Sequence, residues 1–237
     1  MSASTHTISW FHAPSDGVAA HPRQAFRVRR IAGAACLPLL FLEMIVGSLV
    51  VPLAESATSP QTLAFAADHP AALSALAWME LLGAAICIGG LLTLVGAIRA
   101  RGAWLANVLG ILAVPFGVGM AAISLNHFVA LGLTRSGIPA TDAAAALDGF
   151  HAAGGPLPIL FMLGPVIFLL VALAAWRARL VPAAAIALGV LFAALAAVPG
   201  PQWTGMAAYA VGFVLTAWVA WAEVSEQRPL HTAAESA

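Results

Sequence analysis

Two acidic residues, Glu43 and Glu80, lie inside long apolar segments of the sequence. An ionised side chain at the centre of a bilayer is costly, so carboxylates in such segments are candidates for function. If the two carboxyl groups face each other in a medium of low dielectric constant, they cannot both be ionised, and the pair shares a proton. Such a pair could relay protons, bind a cation, or join helices as hydrogen-bonded, protonated acids.

A second group of polar residues comprises Ser124, Asn126, His127, Asp148 and His151. Asp148 and His151 are spaced i, i+3, which on a helical turn places a carboxylate beside an imidazole. Two histidines and an acid could hold a catalytic zinc ion, and two histidines could ligate haem iron. The alternatives are an outer vestibule for a ligand, or histidines that only form hydrogen bonds at the membrane interface. The sequence leaves the cofactor open.

The composition indicates that helices in a membrane position these groups. Of the 237 residues, 62% are hydrophobic and 8% are charged, whereas a soluble domain has about 25% charged residues. Backbone groups in lipid are satisfied only in helices and closed barrels, and the apolar segments lack the alternation of barrel strands. The basic residues are scattered arginines, which form no cationic face for nucleic acid.

We therefore predict an all-α integral membrane bundle in residues 31–222. Six transmembrane helices are predicted, at Ile31–Leu53, Ala71–Ile98, Ala103–Leu133, Leu157–Trp176, Leu180–Val198 and Trp203–Ala222. Residues 1–30 are predicted to be a disordered cytoplasmic segment, and residues 223–237 a cytoplasmic C-terminal tail.

The arginines predict the orientation of the bundle, because cytoplasmic loops retain positive charge. With the N-terminus inside, every arginine except Arg135 falls on the inner side of six spans. Both termini are therefore predicted to face the cytoplasm. The lysine-free, alanine-rich composition favours the cytoplasmic membrane of a bacterium.

The rise of a helix predicts the depth of each polar group. Counting residues places Glu43 and Glu80 at nearly the same level, close to the midplane. Consecutive helices are usually neighbours, so the two carboxyl groups could face each other. The same count places His127 and His151 about 15 Å above them, near the outer interface. This separation argues against one site that contains all four side chains.

The connection between the third and fourth predicted helices has residues typical of a short surface helix. We predict an alanine-rich helix at Asp142–Asp148, with Thr141 as its N-cap and Gly149 at its end.

Three functions are compatible with the sequence. The first is a small proton-linked transporter or ligand-binding membrane protein, with Glu43 and Glu80 as its midplane polar site for a small molecule. So few helices make a minimal carrier, which we expect to work as a homo-oligomer. The second is an outer-leaflet enzyme acting on a lipid, with His127, Asp148 and His151 holding a metal or haem. The third is a non-catalytic assembly or partner subunit in which the polar groups only join helices.

Overall fold

The computed structural model of the chain describes residues 21–52, 57–98, 101–154, 156–198 and 202–225. Within these ranges the chain is helical and has no β-strand, which confirms the all-α prediction. The helices are α1 (His21–Val50), α2 (Ser59–Asp68), α3 (Pro70–Ala97), α4 (Ala103–Arg135), α5 (Ala140–Gly154), α6 (Pro156–Ile159), α7 (Gly164–Arg177), α8 (Ala184–Ala197) and α9 (Gln202–Ser225), with a 3-10 segment at Leu160–Leu163 between α6 and α7.

Five helical segments are long and apolar enough to cross a membrane. They are Val28–Val50 within α1, Pro70–Ala97, Ala103–Arg135, Leu160–Arg177 and Gln202–Ser225. The remaining predicted span, Leu180–Val198, corresponds to α8, which has 14 residues. At 1.5 Å per residue α8 is about 21 Å long, which is less than the roughly 30 Å of a hydrocarbon core. The structure thus supports a multi-pass membrane protein with five candidate spans.

The two ends of the described chain extend the predicted helices. α1 begins at His21, so residues 21–30 of the predicted disordered segment are helical, and residues 1–20 lie outside the described ranges. α9 continues to Ser225, beyond its predicted end at Ala222.

The helices pack around a core that extends through the bundle. α1 packs against α3 and α9, α3 against α4, and α8 against α7 and α9. Because lipid provides no hydrophobic driving force between helices, small residues that allow close contact matter most. At Gly90 of α3, a Cβ atom would lie 2.9 Å from Leu37 Cγ of α1, so only glycine allows this approach.

Two helices in predicted connections, α2 and α5, pack against one end of the bundle. Their side chains Leu63 and Leu147 join Val51, Leu73 and Leu131 in a separate apolar cluster. We call α2 and α5 together the cap.

The predicted limits of the surface helix are wrong. The backbone N–H groups of Asp142 and Ala143 both bond to the Pro139 carbonyl, so α5 begins before Thr141, which is therefore not its N-cap. α5 also continues through Gly149 to Gly154. A glycine inside a helix costs about 1 kcal/mol, and the alanine-rich sequence around Gly149 favours the helix enough to offset this.

The fourth predicted span, Leu157–Trp176, is not one continuous α-helix. It is divided into α6, the 3-10 segment and α7. Pro165 has no N–H to donate to the Phe161 carbonyl, which removes one bond of a regular α-helix here. The 3-10 segment also lies against α4, where a Cβ atom at Gly119 would clash with the Phe161 backbone and lie 2.8 Å from the Leu160 carbonyl carbon. Gly119 therefore makes room for the distorted backbone.

An ion pair joins α1 and α9 at the other end of the bundle. Arg30 Nε donates to Glu223 Oε1 at 3.1 Å, and Arg30 Nη2 donates to the Glu223 carbonyl oxygen at 3.4 Å. The Glu223 side chain is 2% exposed and that of Arg30 is 24% exposed. Nearer the cap, the Gln202 amide donates to the Ser48 carbonyl oxygen. The α1 and α9 pair is thus held by polar bonds at both ends.

Candidate functional site

The bundle contains a partly open cavity of about 470 Å³ on the side of the cap. This volume falls within the roughly 300–1,000 Å³ typical of small-molecule sites. The polar side chains that line it include Ser48, Glu43, Thr62, Glu80, Asn126, His127, His151, Gln202, Thr204 and Tyr209. They come from the C-terminal halves of α1, α4 and α5 and from the N-terminal halves of α2, α3 and α9. Consecutive long helices that run in alternating directions bring these halves together.

Glu43 and Glu80 lie on the same wall of this cavity. The Glu43 carboxyl group from α1 packs on Gly83 of α3, where a Cβ atom would overlap Glu43 Oε2 and lie 3.0 Å from Cδ. Gly83 follows Glu80 by three residues, and residues at this spacing share one face of a helix. The absence of a side chain at Gly83 therefore lets the Glu43 carboxyl group sit one turn from Glu80.

His127 lies beside this pair. Its Nε2 atom is 3.4 Å from Glu80 Oε1, and the two side chains are 17% and 21% exposed. The predicted separation of about 15 Å between the carboxylates and the histidines is therefore wrong for Glu80 and His127. α4 has 33 residues, so it is about 50 Å long and exceeds the thickness of the hydrocarbon core. His127 is eight residues from the end of α4 and therefore lies well inside the bundle.

Three buried polar atoms in this cluster have no hydrogen-bond partner among the described residues. They are Glu43 Oε2, Glu80 Oε2 and His127 Nδ1. Buried polar atoms in native proteins are nearly always paired, so each such exception requires an explanation. Here all three belong to side chains that line the same cavity.

Of the other predicted residues, two line the cavity and two do not appear in its lining. Asn126 and His151 line it, and they also border a small adjoining pocket beside Phe150. Ser124 is fully buried and donates to the Ala77 carbonyl oxygen at 2.6 Å, which joins α4 to α3. Asp148 accepts a hydrogen bond of 2.5 Å from Ser59 Oγ, which joins the two helices of the cap.

The histidines and acids do not assemble into a metal site in the part of the chain that the structure describes. No group of three or more His, Cys, Asp or Glu side chains there could hold a metal ion. Asp148, His127 and His151 therefore do not form the predicted ligand set. Asp148 instead bonds to α2, and His127 lies beside Glu80.

Another part of the cavity lining is aromatic. The ring centroids of Phe41 and Phe168 are 4.7 Å apart, and Phe192 lies 5.5 Å and 5.3 Å from them, all in edge-to-face contact. We call these three residues the phenylalanine wall. Sequence reasoning missed it, together with Gln202 and Tyr209. An aromatic residue in an apolar segment carries no signal that distinguishes a cavity wall from ordinary core packing.

No protein-family model matches the chain, and no curated protein or solved structure is significantly similar to it. The function must therefore be inferred from the cavity and its residues.

Proposed function

We propose that the protein is a small proton-linked transporter or ligand-binding membrane protein whose site is the cavity beneath the cap. Glu43 and Glu80 form its polar centre, and His127 exchanges protons with Glu80. The observation that carries this proposal is that three buried, unpaired polar atoms belong to neighbouring side chains that line a cavity large enough for a small molecule.

The contact between Glu80 and His127 provides a route for protons. At 3.4 Å their atoms are close to hydrogen-bonding distance, so a small movement of either side chain allows direct proton transfer. Among the described lining residues, the titratable groups are Glu43, Glu80, His127, His151 and Tyr209, and those of the 3-10 segment, α7 and α8 include none. Two close carboxyl groups favour a shared proton over two negative charges. Ligand binding at these groups is therefore coupled to their protonation.

Labelling with dicyclohexylcarbodiimide tests this proposal, because the reagent enters apolar regions and reacts with protonated carboxylic acids. In the purified full-length protein we expect mass spectrometry to find the adduct on Glu43 or Glu80. Asp142 on the exposed surface of α5 is the internal control and should stay unlabelled. Glu43→Gln and Glu80→Gln should each change the extent of labelling at the glutamate that remains, because each variant removes the other carboxyl group of the pair. Absence of an adduct at both glutamates, in protein that is folded by circular dichroism, would contradict the proposal.

We further propose that the chain crosses a bacterial cytoplasmic membrane six times, with both termini in the cytoplasm. In this arrangement α8 crosses together with the residues that flank it. The proposal is supported by the arginine distribution, because six spans with the N-terminus inside would leave Arg135 as the one arginine on the outer side.

Alkaline phosphatase fusions distinguish six spans from five, because this enzyme is active only outside the cytoplasm. A fusion after Ser136 should be active and a fusion after Arg179 inactive. A fusion after Ser225 should also be inactive if α8 crosses, whereas an active one would show that α8 does not.

A further inference from the structure

The cavity has an uneven distribution of charge. Its described lining includes two carboxyl groups and two imidazoles, and it includes neither arginine nor lysine. Arg30, one of the chain's few cations, is already engaged by Glu223 at the other end of the bundle. Two of the three unpaired atoms are carboxyl oxygens, which accept hydrogen bonds when ionised. This wall therefore complements a ligand that brings positive charge and hydrogen-bond donors.

The aromatic part of the lining complements a different kind of surface. The phenylalanine wall is apolar, and aromatic side chains offer large areas for contact with apolar groups. Met44 and Met120 also line the cavity, and their flexible side chains adapt to irregular apolar shapes. Such a wall stabilises a hydrocarbon or aromatic body.

Among the described residues, the acidic and histidine side chains of the cavity are not arranged as a ligand set for a bare metal ion. Sodium, magnesium and calcium ions require several oxygen ligands around them. In the described ranges no three His, Cys, Asp or Glu side chains come together as a ligand group, and the phenylalanine wall supplies no oxygen. An organic cation, in contrast, needs a charged partner at one end and apolar contact at the other.

We infer that the ligand of this cavity is a small organic amine in its ammonium form. Its ammonium group lies at the carboxyl groups of Glu43 and Glu80, whose side chains line the cavity, and its apolar body lies against the phenylalanine wall. This inference rests on the proposed function and adds the chemical class of the ligand. The ammonium group replaces the proton held by the carboxyl pair, so binding releases that proton.

Three probes of similar shape and different charge test the inference. Phenethylamine, phenethyl alcohol and phenylacetate are a cation, a neutral molecule and an anion at neutral pH. Isothermal titration calorimetry on the purified full-length protein in detergent should show that the amine binds about tenfold or more tightly than the alcohol, because it gains charge-assisted hydrogen bonds. Phenylacetate should not bind. This comparison uses the wild-type protein and needs no variant to fold.

Matched variants locate the bound probe. Glu43→Gln and Glu80→Gln should each weaken amine binding by about tenfold or more. Asp142→Asn removes a carboxylate from an exposed position on α5 and should leave the affinity unchanged. An equal loss of amine affinity in all three variants would overturn the assignment of the site.

The outcomes separate the two proposals. If the alcohol or phenylacetate binds as tightly as the amine and Glu43→Gln weakens that binding, the cavity is a ligand site but the inference of an amine is wrong. If no probe binds while carbodiimide labels the glutamates, the amine is again excluded and the proton-binding pair remains. If no probe binds and neither glutamate is labelled, both proposals fail.

Discussion

The substitution Gly83→Ala tests the position of Glu43 against α3. The added methyl group would overlap Glu43 Oε2 and lie 3.0 Å from Cδ and 3.3 Å from Oε1. To accommodate it, the Glu43 carboxyl group must move away from the wall that it shares with Glu80. Gly89 of the same helix is the matched control, because a methyl group there would have no atom within 4 Å.

The two variants differ in one physical effect. Both replace a helical glycine by alanine, which stabilises a helix by about 0.5–1 kcal/mol. Only Gly83→Ala also overpacks the interior, at a cost of about 1–3 kcal/mol. The displaced atoms belong to the end of a flexible side chain, which favours the lower part of that range. We therefore expect the free energy of unfolding of Gly83→Ala to be about 1–2 kcal/mol below that of Gly89→Ala.

Unfolding in mixed micelles with increasing sodium dodecyl sulfate, followed by tryptophan fluorescence, measures this difference. In a Glu43→Ala background the difference between the two glycine variants should disappear, because no carboxyl group remains to be displaced. Such a cycle isolates the contact from other effects of each substitution. Equal stability of Gly83→Ala and Gly89→Ala with Glu43 intact would refute the packing of Glu43 on Gly83.

Three further predictions concern the contacts that hold the bundle. Arg30→Gln should lower the free energy of unfolding more than Glu223→Gln does, because it leaves the almost fully buried Glu223 carboxylate unpaired. In buried ion pairs such a loss reaches about 3–5 kcal/mol. Equal losses for the two variants in the same unfolding assay would contradict this prediction. Gly119→Ala should destabilise the protein by about 1–3 kcal/mol relative to Gly110→Ala, whose methyl group would be in ordinary contact at 3.6 Å; limited proteolysis should show faster cleavage near the 3-10 segment. Ser124→Ala should lower the thermal midpoint through loss of about 1 kcal/mol, and an unchanged midpoint would show that its bond to α3 contributes nothing.

The sequence predicted the long helices well because a single physical rule governs them. A bilayer requires about 20 apolar residues per span, and the composition changes sharply where α3 and α4 begin. The same rule says nothing about segments outside the lipid, so α2 was not predicted. It also could not show that α8 is only 14 residues long, since the surrounding residues are equally apolar.

The candidate site was predicted in part. Glu43 and Glu80 stand out because each is an acidic residue in an apolar segment. Because consecutive helices are usually neighbours, the chain order also predicted that their helices pack together. The position of His127 could not be read in this way. Its place beside Glu80 depends on how α4 packs against α3, which local composition does not show. The phenylalanine wall depends on which helices meet, so only the three-dimensional structure identifies it.

The ion pair between Arg30 and Glu223 has a consequence for biosynthesis. The two residues are separated by 193 positions, so α1 is made first and waits for its partner until α9 has entered the membrane. Contacts between such distant segments form late, because the intervening chain must be ordered first. Until then Arg30 lacks its acceptor, and Phe41 lacks the surface of Gly212 on which it packs. A chain that stops before α9 therefore exposes an unpaired charge and an unfilled helix face, two features by which a membrane protease could distinguish an unfinished molecule from a finished one.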